Sequence, residues 1–89
     1  MELVKVYEYE LDRDIIEKCT KEGRNITSKD VETDIHKILK DNFIECKNKI
    51  VDRWITKGKI PDYISIVEIY VYETNKLMAE KLINEYINS

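Results

Sequence analysis

Hydrophobic and polar residues alternate over residues 3–11, LVKVYEYEL. Val4 and Val6 fall on one side with Glu8 and Glu10; Leu3, Tyr7, Tyr9 and Leu11 fall on the other with Lys5. A period of two marks a strand covered on one face. Its charges suit an edge position. Next, Asp12 or Asp14 caps a short helix to about Glu22, carried by Ile15, Ile16 and Cys19 and stopped by Gly23.

Thr27-Ser28-Lys29-Asp30 matches a capping box with Asp in place of Glu. Behind it, Val31, Ile35, Ile38, Leu39, Phe43, Cys46 and Ile50 hold one stripe at helical spacing, which predicts a helix over about 28–48. Beyond Cys46 the stripe blurs. Residues 50–56 then read as a strand, or the helix continues.

Tyr63–Tyr86 is the stretch the rest is organised around. Ile64, Ile66, Val67, Ile69, Tyr70, Val71 and Tyr72 are β-branched or aromatic, which favours a buried strand over 63–73. Helix formers follow to about residue 87, with Met78, Leu82, Ile83 and Tyr86 as the apolar face. The same stretch also fits one long amphipathic helix, because Ile64, Val67, Val71, Thr74, Met78 and Leu82 recur every three or four residues. The strand is preferred, since the N-terminal strand needs a hydrogen-bonding partner.

The expected class is therefore α+β. A small antiparallel sheet (about 3–11, 50–56 and 63–73) packs on helices (about 12–22, 28–48 and 75–87) in the order β-α-α-β-β-α. The alternative is mostly helical, with the N-terminal strand and long helices over 28–57 and 61–87.

At 89 residues, 43% hydrophobic and 37% charged, the chain reads as one folded domain, residues 1–89. No run approaches the roughly 20 apolar residues of a membrane span. The first residues do not resemble a secretion signal. The expectation is a cytoplasmic protein, or one of the host cytoplasm if viral. Lysine far outnumbers arginine and isoleucine is the commonest residue, a bias of AT-rich coding sequences. Cys19 and Cys46 read as reduced, partly buried thiols.

Candidate chemistry is sparse. His36 is the single histidine and borders the apolar stripe. Cys19, His36 and Cys46 lack zinc-site spacing, and the isolated Gly23 and Gly58 form no phosphate loop. Pro61-Asp62 followed by Glu68-Ile69-Tyr70 lacks the lysine of a PD…(D/E)xK nuclease. No catalytic residue, metal ligand or cofactor is expected.

Charge is segregated: residues 1–17 and 60–89 are acidic and 18–59 basic, within a net charge of −3. Two functions fit. The first is a non-catalytic protein-binding or regulatory module, such as a phage- or mobile-element-type inhibitor, recognising a larger protein or a second copy of itself through Tyr7, Tyr9, Tyr70 and Tyr72. Tyr70 and Tyr72 would share a face and pair across with Tyr7 or Tyr9. The second uses Lys47, Lys49, Arg53, Trp54, Lys57 and Lys59 to bind duplex DNA. A hairpin at Gly58 would make this region resemble the wing of a winged-helix domain, which implies a small transcriptional regulator. The order strand, short helix, capped helix also resembles ribbon-helix-helix repressors, but Glu8 and Glu10 would repel phosphates there.

Overall fold

A computed structural model describes residues 2–58 and 60–89, apart from the side chains of Lys57 and Tyr63. The elements run β1 (Leu3–Glu10), α1 (Arg13–Glu22), α2 (Asp34–Asp41), β2 (Cys46–Lys57), β3 (Ile60–Tyr72), a 3-10 turn (Glu73–Asn75) and α3 (Lys76–Ile87). The strands form an antiparallel sheet in the order β1-β3-β2. The α+β order β-α-α-β-β-α is the expected one. The alternative helix over 61–87 is overturned by β3.

β3 is the centre of the structure. Val67, Ile69 and Val71 point to one face and are completely buried. Ile69 and Val71 meet Ile35 and Leu39 of α2, Ile44 of the following loop, and Ala79 and Ile83 of α3. Val67 meets Leu11 and Val31, with Ile15, Ile16 and Ile26 packed around them. Burying each Leu, Ile or Val contributes about 1.5–3 kcal/mol. All this packing lies on one side of the sheet; among the described residues no helix joins a buried cluster on the opposite face.

Two expectations about faces fail, the second only in part. β1 contains a bulge between Lys5 and Tyr7, where the register skips Val6. A bulge adds one residue and so reverses the alternation. Val4, Val6, Tyr7 and Tyr9 consequently all pack on the core, while Lys5 and Glu8 lie opposite Tyr70 and Glu68 on the other face. On α3, Met78 is 57% and Tyr86 43% exposed. Of the expected face, Ile83 is buried and Leu82 packs on the core, with Ala79 buried beside them.

The helix expected over 28–48 is only Asp34–Asp41. Asp30 does accept the Thr27 N–H at 2.8 Å, as the capping box requires, but it closes a single turn. Thr33 starts α2 instead, with its N–H donated to His36 Nδ1 at 3.1 Å. Cys46 and Ile50 belong to β2, which begins earlier than expected, as β3 does. A four-residue spacing is one helical turn and also two strand repeats, so both structures put these residues on the core side.

β2 and β3 stay paired from Cys46↔Val71 to Lys57↔Ile60 with no shift in register. The turn begins at Gly58, whose φ of 66° suits a tight hairpin. β1 ends opposite Ile66 and Leu11 N–H still reaches Ser65 O at 2.8 Å, so residues 53–57 and 60–64 continue as a two-stranded arm. Pro61 sits where β3 has lost its outer neighbour, a place that tolerates a missing N–H.

Candidate functional site

Residues directly opposite in an antiparallel pair share a face. The helix-free face therefore carries Lys47, Lys49, Val51 and Arg53 of β2, Ile66, Glu68, Tyr70 and Tyr72 of β3, and Leu3, Lys5, Glu8 and Glu10 of β1. Glu68 is 6% exposed despite having no helix above it. Its carboxylate accepts from Tyr70 Oη at 2.9 Å, Arg53 Nη2 at 3.1 Å and Lys5 Nζ at 3.2 Å. Arg53 Nη1 and Lys5 Nζ also reach Glu8, at 2.9 and 3.4 Å. The long side chains cover Glu68 with their apolar stems. The Tyr70 hydrogen bond, then Lys5 and Arg53, hold the Glu68 carboxyl below its ordinary range against the opposing effect of burial. The same bond pushes the Tyr70 phenol up.

Lys47 and Lys49 are exposed and join no ion pair with the described residues. They stand beside Tyr70 and Glu68 on the outer strand of the sheet. The basic cluster of the sequence is thus divided. Lys47, Lys49 and Arg53 share the open face. Trp54 points to the opposite side, on the two-stranded arm, and is 72% exposed. The Lys57 side chain and all of Lys59 lie outside what is described. α1 and α2 are joined by the long segment 23–33, not by the short turn of a helix-turn-helix.

The four tyrosines divide as well. Tyr9 donates to the Val31 carbonyl at 2.6 Å and packs with Tyr7 on the core. Tyr70 and Tyr72 do share the open face, but their partners across the strand are Lys5 and Leu3, not Tyr7 and Tyr9.

β2 is an edge strand, and grooves flank its first half on both faces. One, of about 460 Å³, runs between β2 and α2 and includes His36, Ile44, Cys46 and Asn48. The other, of about 430 Å³, lies on the open face between Leu3, Lys47, Lys49 and Tyr70. His36 is no free base in the first. Its Nδ1 accepts the Thr33 N–H, and its Nε2 is 2.6 Å from Asn48 Oδ1. Since the acceptor nitrogen is Nδ1, the other carries the proton. His36 therefore ties α2 to β2. Burial pushes the Cys46 thiol up, with Glu32 and Glu45 adding to it, which keeps it in the less reactive protonated form. Among the described residues no group of three His, Cys, Asp or Glu side chains could hold a metal ion. No helix of the described residues is long and apolar enough to cross a membrane.

Sequence reasoning missed Phe43, which it placed on the core stripe. Phe43 follows α2, has φ 60° and is 96% exposed. Ile44 N–H bonds to Leu39 O at 2.9 Å and Phe43 N–H to Lys40 O at 3.0 Å. That is a Schellman motif with phenylalanine in the left-handed position that glycine ordinarily takes. The available signal was Asn42, a helix-stop residue ahead of it. Phe43 lies three residues before β2. Leu77, 81% exposed, belongs to the first turn of α3 at the same end of the sheet, because Cys46 pairs with Val71.

No protein-family model, curated protein or solved structure matches this chain.

Proposed function

We propose that this protein is a non-catalytic binding module whose partner is another, larger protein, in the manner of a small inhibitor or regulatory subunit. Phe43 carries the reading. A bulky residue in left-handed conformation is strained by about 1–2 kcal/mol. Its ring is 96% exposed and so contributes almost nothing to the core. Strain and an unburied aromatic ring together cost the free protein stability, and a partner that covers the ring would offset that cost. Trp54, Ile60 and Leu77, all more than 70% exposed, add apolar surface of the same kind.

The test is capture from extract of the source cells, with and without nuclease treatment, comparing the wild type with Phe43→Asn. The reading expects a defined protein that the wild type retains and the variant loses. Retention of nucleic acid alone would overturn it.

One observation favours a nucleic-acid reading. Lys5, Tyr70 and Lys47 form a row across the open face, the pattern of a stacking ring between phosphate contacts. Arg53 is already engaged by Glu8 and Glu68, and Glu8, Glu10 and Glu68 share the face, which weighs against a polyanion. A salt-sensitive gel shift weakened by Lys47→Glu would support this second reading, and no shift at low salt would end it.

A further inference from the structure

We infer that β2 is a docking edge that takes an extended segment of the partner as a fourth strand, and that this segment carries acidic side chains at alternate positions. The inference rests on the protein-binding reading above and specifies its geometry.

The two edges of the sheet differ. β1 is short, bulged at Val6 and acidic at Glu8 and Glu10, all devices that discourage strand addition. β2 runs for twelve residues, Cys46–Lys57, without a bulge or a proline. In an antiparallel pair alternate residues turn their N–H and C=O groups away from the partner strand. Among the described residues, no backbone bond reaches residues 46–53 of β2 from outside the sheet. That edge is a ready set of donors and acceptors.

Side chains of an added strand alternate between the two faces. On the open face they meet Lys47 and Lys49, which no carboxylate of the described residues engages, and then Val51; opposite charge is favourable beside the two lysines. On the other they enter the groove at His36, Ile44 and Cys46, which suits uncharged groups. Phe43 and Trp54 stand at the two ends of this run, Cys46 and Trp54 being about 27 Å apart along an extended strand. They fit the role of apolar clamps at either end.

The occupant is not a second copy of β2. Two-fold antiparallel pairing about Ile50 sets Lys47 against Arg53; about Val51, Lys49 against Arg53. Centring on Lys49, Asp52 or Arg53 sets each against itself. Like charges directly opposite are destabilising.

The experiment is an NMR titration at low salt with three blocked peptides: alternating glutamate and valine, alternating lysine and valine, and the glutamate peptide N-methylated at alternate positions. Amide exchange of the protein is followed in parallel, and a short single-stranded oligonucleotide is titrated separately. The glutamate peptide is expected to bind and to slow exchange at alternate residues between 46 and 53. The lysine peptide is expected to bind at least about tenfold more weakly, and the N-methylated peptide not to bind. Lys47→Glu with Lys49→Glu, both exposed positions that leave the core intact, should reverse the preference. Equal binding of both charged peptides, or binding without slowed exchange in β2, overturns strand addition while leaving protein recognition standing. Binding of the oligonucleotide at Lys47 and Lys49 with no response to any peptide overturns both.

Discussion

Gly23 and Phe43 occupy the same place in the same helix-ending motif, one glycine and one phenylalanine. After α1, Gly23 has φ 67°, with bonds from Gly23 N–H to Thr20 O and from Arg24 N–H to Cys19 O, both 3.1 Å. After α2, Phe43 has φ 60° with the matching pair of bonds. The first site uses the residue that fits the backbone. The second does not, and its side chain reaches into solvent. Phe43→Asn should therefore stabilise the protein, by about 0.5–1 kcal/mol, since Asn tolerates this conformation. Gly23→Ala should destabilise it by a similar amount. No atom lies within 4 Å of a Cβ at Gly23, so strain alone acts there. Denaturant melts of both variants check the pair of signs.

Ile69 sits at the middle of the central strand with no exposed surface, between α2 and α3. Ile69→Ala should cost about 2–5 kcal/mol through lost burial and the cavity left behind. Chemical denaturation measures it. An effect below about 1 kcal/mol would place the core elsewhere.

Acid should loosen the connector before α2. Arg24 grips Asp30 with two bonds, 2.7 and 3.0 Å, and Thr27 adds its N–H and hydroxyl. Together they hold the Asp30 carboxyl well below the usual carboxylate range, Arg24 contributing most. A depressed folded-state value means that the stabilisation is present above the unfolded value of about 4 and is lost as pH falls through the folded one. Wild type should melt above Asp30→Asn at neutral pH, with the gap closing as pH drops below about 4. Melting curves across that range decide it.

Arg53→Met should lower the melting temperature, because Glu68 keeps Lys5 and Tyr70 but loses one of its two cations. The acid limb should move to higher pH, since a carboxylate held down less firmly protonates earlier. An unchanged melt at pH 7 would mean that Lys5 alone satisfies Glu68.

The architecture was readable from the alternation over residues 3–11 and the β-branched composition of 63–73, whose spacing fits a helix as well and which the partner need of the first strand decides. What misled lay where two periods coincide. Cys46 and Ile50 satisfy a helix and a strand alike, so the spacing predicts an α2 longer than Asp34–Asp41 and places Phe43 in its core. The bulge at Val6 was invisible for a related reason: it reverses alternation, and only the register against β3 shows it. The candidate surface was half legible. Lys47, Lys49 and Arg53 stood out as basic residues, but their separation from Trp54 depends on the strand beginning at Cys46.

The claim on which the functional account turns is that the outer edge of β2 is open. Amide hydrogen exchange of the free protein, residue by residue over 46–53, tests it most directly. The account predicts alternation, with amides bonded to β3 exchanging slowly and their neighbours exchanging at close to the rate of unprotected backbone. Slow exchange at every residue of that run, in dilute protein without a partner, would contradict it.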